Sequence, residues 1–133
     1  MDLDTQLCVY IRNLGGSAAN CGLGFVPASG KLSLQMDPGS KAIQTYFNGN
    51  QDMAVNFELA LNSDSYETAR ATLNPIADAL TNLKEDGVLS VDGSFEFDHI
   101  EITSTPFNQL TDNTGNIYWV TTFTVFVTKF NNK

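Results

Sequence analysis

A chain of 133 residues that is 42% hydrophobic and 17% charged has the composition of an ordinary folded protein and the length of one domain. Its formal net charge of -8 argues against a nucleic-acid clamp or a binder of anionic membranes, because both need a basic surface. The acid is concentrated between residues 85 and 112, where no Lys or Arg accompanies Glu85, Asp86, Asp92, Glu96, Asp98, Glu101 and Asp112. The sequence therefore predicts one region of strongly negative surface.

The N-terminus and the cysteines indicate where the protein is made. Residues 1–4 are acidic where a secretory signal would be basic, and no apolar run approaches the length of a membrane span. Cys8 and Cys21 are the only cysteines, without CxxC spacing, and we interpret them as reduced thiols of a cytosolic protein. We expect a protein that is made and kept inside a cell, or assembled there into something larger.

The first predicted element is a short helix from about Asp2 to Leu14, ended by Gly15-Gly16. Its apolar stripe consists of Leu3, Leu7, Ile11 and Leu14. The small residues from 15 to 24 predict a loop. This loop contains several glycines but no GxGxxG pattern, so we predict no phosphate cradle.

Two strands with alternating polarity follow. Residues 31–37 predict a strand with one wet face, closed by Asp37-Pro38-Gly39. The clearer strand spans Met53 to Leu61, and its apolar residues at every second position face one way. Between the two strands, Tyr46-Phe47-Asn48-Gly49 predicts either a hairpin with an Asn-Gly turn or a longer loop with aromatic residues.

The best-marked element is a second helix, with an apolar stripe at steps of three and four residues from Tyr66 to Leu83. Asp64 is the predicted N-cap, with Glu67 completing a capping box, and Gly87 is the predicted stop. Pro75 permits either two collinear helices or one helix with a kink. We favour one helix, because the stripe continues through the proline.

The C-terminal part predicts two further strands. From Gly93 to Thr103 the apolar residues change phase, which predicts a β-bulge near His99. The strand from Asn116 to Phe130 is apolar on both faces, so it is either central under two layers or faces another subunit. Together the elements predict an α+β fold in a single domain over residues 1–133. The predicted sheet is largely antiparallel, with two helices packed on one face in the order α-β-β-α-β-β.

Chemistry-bearing motifs are scarce. His99 is the only histidine, and HExxH, GxSxG and a cysteine–histidine pair are all missing from the sequence. Glu96, Asp98, His99 and Glu101 crowd together, which permits a metal or acid–base site but is typical of a solvated acidic strand face. We predict no catalytic residues, no metal site and no cofactor.

Several short features carry a resemblance to a known family, and they extend over nearly the whole chain. They are the start 3–7 with Tyr10-Ile11, the strand end 34–39, the turn 47–49, the helix 66–83 with its Ala71-Thr72-Leu73-Asn74 segment, and the closing segments 105–107, 112–118 and 121–127. In this order they resemble the minor capsid proteins of long-tailed phages of Gram-positive bacteria that act as tail terminators, also called tail completion proteins. Pro75 departs from the smooth helix that this family would lead one to expect.

The resemblance implies a virion protein at the tail–neck junction, assembled in the host cytoplasm. It implies a ring, usually of six subunits, that caps the tail tube, stops its growth and offers a surface for joining the head. Its partners would be itself, the major tail tube protein and a head-completion or neck protein, with DNA passing through unbound and no membrane involved. Two alternatives stay open: another phage neck or tube component or a non-phage ring-forming module, and a small α+β enzyme or ligand-binding protein that uses residues 96–101.

Two sets of residues are predicted to serve the ring. The segments 39–51 and 105–115 are longer than their connections require, so we predict that Tyr46, Phe47, Phe107 and Leu110 contact neighbouring subunits or the tube. The competing interpretation is that these aromatic loops pack on their own domain. We predict that Asp92, Glu96 and Asp98 line or border an acidic lumen that repels DNA, against the alternative that they only keep the subunit soluble on its rim.

Overall fold

In the computed structural model, one seven-stranded sheet carries two α-helices on the same face. The structure describes residues 2–24, 32–36, 41–63, 65–83, 87–91, 93–104, 107–111 and 117–130. The helices are α1 (Leu3–Asn13) and α2 (Tyr66–Thr81), with a 3₁₀ helix at Gly16–Asn20. The strands are β1 (Gly22–Leu23), β2 (Leu32–Met36), β3 (Lys41–Thr45), β4 (Gln51–Asn62), β5 (Phe95–Ile102), β6 (Phe107–Thr111) and β7 (Ile117–Lys129).

The sheet has the order β1-β2-β4-β7-β5, with β3 also pairing with β4 and β6 also pairing with β7. Among the described strands, only the β1–β2 pair is parallel, and the other pairs are antiparallel. The predicted α+β class with a largely antiparallel sheet is therefore confirmed. Among the described residues, no helix is both long and apolar enough to cross a membrane.

The core lies between the helices and one face of the two longest strands. β4 and β7 pair in unbroken register from Gln51–Lys129 to Asn62–Tyr118, so their alternate residues share faces. On the helix side, the rings of Phe57 and Phe123 stack with centroids 5.7 Å apart. Burying each large apolar side chain of this layer contributes roughly 1.5–3 kcal/mol before ordering entropy is subtracted.

Helix α1 forms as its apolar stripe predicts. Leu3, Leu7 and Ile11 are fully buried against the sheet, whereas Leu14, the predicted fourth member, caps the helix and is exposed. The segment after it is more ordered than the predicted loop, because it contains the 3₁₀ helix and β1. β1 pairs with β2 through Gly22–Ser33 and Leu23–Leu34, which extends the sheet.

Helix α2 runs through Pro75 without interruption, so the interpretation as one helix is confirmed. Pro75 and Ala71, whose carbonyl loses its donor to the proline, are both exposed, so water can bind that carbonyl. The N-cap is Ser65, whose Oγ accepts a hydrogen bond from the amide of Thr68 at 3.3 Å. The predicted cap Asp64 lies outside the described residues.

The predicted end of α2 at Gly87 is wrong, since the helix ends at Thr81 and Asn82 is its C-cap. Ala69, Leu73, Ile76 and Leu80 form the buried stripe, and Leu83 follows the helix as a half-buried residue. Tyr66 was predicted in the stripe but is largely exposed, with its ring against Trp119 at a centroid distance of 5.2 Å.

Besides β1, two strands lie where the sequence patterns predict loops or a turn. β3 lies within the segment 39–51 and forms the hairpin with β4 that was one of two predicted alternatives. β6 lies within 105–115 and pairs with the first part of β7. The two segments are therefore not free loops: each provides backbone partners for a long strand that would otherwise have an open edge.

β7 is central within the sheet, because it pairs with β4 on one side and with β5 and β6 on the other. The described helices cover only one of its faces, so the prediction that it lies under two layers is not confirmed. Its second face bears Tyr118, Val120 and Phe126. Val120 is buried, whereas Tyr118 and Phe126 are half-exposed, and neither described α-helix lies on that face. A partner subunit on that face stays a prediction.

Candidate assembly surface

The sheet face opposite the helices is open and mostly polar. Register places Asp52 beside Thr128, Asn56 beside Thr124 and Glu58 beside Thr122 on this face. Thr128 Oγ1 donates to Asp52 Oδ1 at 2.8 Å, and Thr124 Oγ1 donates to Asn56 Oδ1 at 2.9 Å. These cross-strand hydrogen bonds hold the side chains in place, so the polar and charged groups of the open face have defined positions.

The hairpin between β3 and β4 projects a fully exposed aromatic side chain. The Tyr46 amide donates to the Asn50 carbonyl at 2.8 Å, and the Gly49 amide donates to the Tyr46 carbonyl at 2.9 Å. Gly49 has φ +89°, the left-handed conformation that closes such a three-residue turn. Phe47 is consequently at the tip, with a relative exposure of 113%.

A tyrosine–carboxylate bond fixes the base of this hairpin to the open face. The Tyr46 hydroxyl donates to Asp52 Oδ2 at 2.6 Å. This bond lowers the pKa of Asp52, with a further contribution from the Thr128 hydroxyl, and it raises the pKa of Tyr46. The bond restricts how far Tyr46 can move toward a partner.

Beside the hairpin base, the open face contains a shallow groove of about 360 Å³. Its walls include Ile43 and Tyr46 on the hairpin side and Asp98 on the β5 side, and Phe126 lies between them. A second groove, of about 300 Å³, lies among Leu14, Ala18, Pro75 and Ile76 in the helix layer. Neither groove contains a set of polar groups converging on a ligand.

The acidic residues of β5 share the open face because the predicted bulge is present. The register shifts between Phe97 and His99, so that His99 pairs with Phe126 and Glu101 with Thr124, on the same face as Glu96. His99 Nδ1 lies 3.0 Å from Asp98 Oδ2, and its Nε2 lies 3.6 Å from Glu101 Oε1. The imidazole stacks on Phe126 at a centroid distance of 4.4 Å and an interplanar angle of 10°.

This cluster does not form a metal site. No group of three His, Cys, Asp or Glu side chains in the described part of the chain could hold an ion. Asp98, His99 and Glu101 are each about half exposed or more, so these side chains are solvated. The geometry is that of an acidic surface with a histidine anchored on an aromatic ring.

The structure places some of the predicted site residues and leaves others undescribed. Tyr46 and Phe47 are exposed at the hairpin, and Glu96 and Asp98 are exposed on β5. Phe107 and Leu110 belong to β6, where their backbones pair with Val120 and Tyr118, but their side chains are outside the described structure. Asp92 is outside the described residues.

The sequence analysis missed one exposed apolar segment, residues 87–91. Leu89 and Val91 expose 67% and 81% of their surface. The segment is nevertheless held in place, since Asp2 accepts hydrogen bonds from Ser90 Oγ at 2.8 Å and from the Val91 amide at 2.9 Å. Alternation of apolar and polar residues from 89 to 92 was the available signal, but so short a run does not reveal its partners.

Cys8 and Cys21 are free, buried thiols. Burial is the largest of several causes that raise the pKa of Cys21 to about 12, with Cys8 contributing further. A thiol that stays protonated at neutral pH is a weak nucleophile, which favours a packing role for this pair.

Comparisons with known proteins show a structure of similar fold but no protein family to which the chain can be assigned. No family model matches the chain, and no curated protein sequence is significantly similar to it. Among solved structures, a chain in the virion of a native gene transfer agent particle superposes with a TM-score of 0.65 at 12% sequence identity. The alignment covers 95% of this chain and 94% of that chain. The two chains therefore share a fold over essentially their whole lengths.

Proposed function

We propose that this protein is a structural component of a phage or phage-like virion. The observation that carries the proposal is the whole-length fold match to a chain of the gene transfer agent particle, with a TM-score of 0.65. The match covers 95% of this chain and 94% of that chain. The resemblance of sequence features to small virion proteins, which was drawn from different observations, supports the same class.

Within the virion, we propose the finer role of a tail terminator: a ring, in the family a hexamer, that caps the tail tube and joins it to the head. A ring subunit needs surfaces for its neighbours in addition to a core. The projecting hairpin with Phe47 and the exposed Leu89 and Val91 offer such surfaces. A large exposed apolar area is typical of proteins that assemble.

A non-enzymatic role agrees with the side-chain chemistry. His99, the one histidine, is engaged with Asp98, Glu101 and Phe126 at an exposed site instead of facing an enclosed pocket. The cysteines are buried away from the open face. Neither feature provides the activated nucleophile or the dry cavity on which most catalysis depends.

The acidic open face suits a channel for DNA. Glu96 and Asp98 are exposed there together with Glu101. A negative lumen would repel phosphates and let the DNA slide, whereas a basic lumen would hold it. In this proposal the open face, with Asp92 nearby in sequence, borders the lumen.

The proposed role is tested by capping. The purified protein is added in increasing amounts to polymerising tail tube protein from the same phage, and tube length is measured by electron microscopy. A terminator gives shorter tubes with density at one end, whereas an unrelated acidic protein of similar size leaves the lengths unchanged. Tubes of unaltered length without end density would contradict the terminator role, and density along the tube wall would indicate another tube component.

A further inference from the structure

One row of paired residues crosses the sheet and connects two exposed apolar patches. Gln44 pairs with Asp52, Asp52 with Thr128, Thr128 with Glu96, and Glu96 with Leu89. Since neighbouring strands are about 4.8 Å apart, the ends of this row are roughly 19 Å apart, on opposite lateral edges of the sheet.

The two ends of the row carry the most exposed apolar side chains of the described structure. At the β3 edge, the hairpin patch consists of Ile43, Tyr46 and Phe47. At the β5 edge, the receiver patch consists of Leu89 and Val91. Both patches lie at the same end of the sheet, because Gln51, Lys129 and Phe95 also align there.

From this placement we infer that the hairpin patch of one copy of this chain packs on the receiver patch of the next copy. The two patches are different surfaces on opposite edges, so their contact is head-to-tail. Repeating a head-to-tail contact with a constant rotation closes a ring. The inference deepens the proposed terminator ring by naming which surfaces join its subunits.

Charge favours a second copy as the occupant of the receiver patch. Lys41 is the only charged residue from position 41 to position 50, so the β3 edge carries one positive charge, while Asp52 lies on β4, the inner strand of the hairpin. The β5 edge bears Glu96, Asp98 and Glu101 without a Lys or Arg between residues 93 and 104. Attraction between Lys41 and this acidic edge favours the contact of the β3 edge with the β5 edge over the pairing of two acidic β5 edges.

The contact is made by side chains, not by extension of the sheet. β3 has a bulge between Ala42 and Gln44 and a lysine at its start, both features that disfavour addition of a strand at an edge. On the other edge, Leu89 already bridges to Glu96 at the outer side of β5. Phe47 lies at the tip of a hydrogen-bonded turn, and the amide of Val91 is bound to Asp2. The backbone of both patches is therefore held in place before two copies associate.

The test uses two variants that each lose one half of the contact. Phe47→Ser removes the tip and keeps the receiver patch, whereas Val91→Asp places a charge in the receiver patch and keeps the tip. Both side chains are exposed, so circular dichroism spectra and thermal melts should match those of the wild type. Val9→Ser is the matched control, because it removes an exposed apolar side chain from α1, in the helix layer.

Mass is measured by light scattering over a range of concentrations, for the chain alone and without tube protein. We expect the wild type and Val9→Ser to form a ring, and each contact variant to weaken association by at least about tenfold in Kd. An equimolar mixture of the two contact variants should give a dimer and nothing larger. In that dimer, the intact tip of Val91→Asp occupies the intact receiver of Phe47→Ser, and no second contact can form.

Other outcomes overturn the inference. Contact variants that assemble as the wild type does would leave the ring intact but place its joints elsewhere. A wild type that stops at a dimer would replace the head-to-tail contact with a symmetric one, and a monomeric wild type would remove self-contact altogether. Contact variants that assemble normally but fail to cap tubes would assign the hairpin to the tube. Rings joined as described that never cap tubes would support the contact and contradict only the terminator role.

Discussion

The Tyr46 hydroxyl donates a 2.6 Å hydrogen bond to the Asp52 carboxylate, which links the exposed hairpin to the open face of the sheet. Asp52 also accepts from Thr128 at 2.8 Å, so one carboxylate joins β3, β4 and β7. The projecting tip is thereby attached to the most extensively paired strands of the molecule.

The hairpin should therefore loosen at both ends of the pH scale. The folded pKa of Asp52 lies below its ordinary 3.8, so the bond contributes fully above that pH and is lost as pH falls through the lowered pKa. The folded pKa of Tyr46 lies above its ordinary 10.0, so the contribution is present below pH 10 and is lost as pH rises through the raised pKa. Carboxyl and ring signals followed by NMR should show both titrations.

Two substitutions distinguish the effects of the two hydrogen-bond donors, Tyr46 and Thr128, on the pKa of Asp52. Tyr46→Phe should raise the pKa of Asp52 toward its ordinary value more than Thr128→Val does, because the tyrosine bond is the larger cause of the shift. Hairpin amides should change in Tyr46→Phe, while those at the far end of β4 stay as they are. Equal effects of the two substitutions, or none, would contradict the assigned bonds.

The sequence predicts elements well where the hydrophobic period is long. The stripes of α1 and α2 and the alternation in β4 each repeat over nine or more residues, and all three elements are present. The change of phase around His99 also predicted the bulge correctly. In these stretches the spacing of the apolar residues indicates which side of the element faces the core.

Short edge strands were predicted less well, β3 only as one of two alternatives and β6 not at all, because their pairing depends on residues elsewhere in the chain. β3 is exposed along its whole length, so no buried face leaves a pattern, and it forms because β4 offers unpaired backbone groups beside it. Likewise, Leu89 and Val91 became a candidate surface only when the bridge from Leu89 to Glu96 placed them at an edge. Contacts between distant segments decide such features.

The buried stripe of α2 should not tolerate a charge. Leu80 is fully buried under the helix, and Leu80→Asp would place an unpaired carboxylate there at a cost of several kcal/mol, comparable to the stability of a whole domain. We expect unfolded or insoluble protein. Asn74→Asp adds the same charge at an exposed position of the same helix and should leave the thermal melt nearly unchanged. A folded Leu80→Asp variant with a normal melt would refute this assignment of the core.

Thr121 offers a substitution that should stabilise the protein. Its hydroxyl is buried and has no hydrogen-bond partner among the described residues. Thr121→Val removes the unpaired group at similar shape, and we expect the free energy of unfolding to rise by about 1 kcal/mol. Thr124→Val is the matched control on the same strand: it deletes a hydroxyl that donates to Asn56 and should lower stability. Denaturant unfolding curves for both variants decide, and a loss of stability in Thr121→Val would contradict the expectation.

The cysteines should be unreactive in the folded protein. Both thiols are buried, and the pKa of Cys21 is raised to about 12, so almost no thiolate forms at neutral pH. A thiol reagent should label them only after denaturant is added. Because the folded pKa lies above the unfolded value near 9, the contribution of Cys21 to stability is complete below pH 9 and declines from pH 9 toward pH 12. Rapid labelling of the native protein would contradict this burial.

The last prediction concerns the acidic open face and DNA. Glu96 and Asp98 project from β5 into solvent, so replacing both with lysine should change stability little. If this face borders the lumen of a ring, the double variant turns a repelling surface into one that binds phosphates. We expect rings that retain duplex DNA at low salt and release it as salt rises, and phage carrying the variant should eject their genomes slowly. Adding Asp92→Lys should strengthen both effects.

The control makes the same change of charge on the other side of the molecule. Glu67 and Asp78 are exposed on α2, in the layer opposite the open face, and Glu67→Lys with Asp78→Lys also raises the net charge by four. DNA retention by the β5 variant alone would assign the acid to the lumen, since a general gain of positive charge would act equally in both. DNA retention by both variants, or by neither, would mean that the acidic residues of β5 lie on the outer rim of the ring and keep the subunit soluble. Light scattering must first confirm that each variant forms rings, because Glu96 and Asp98 also border the contact inferred between copies and their reversal is expected to slow its formation.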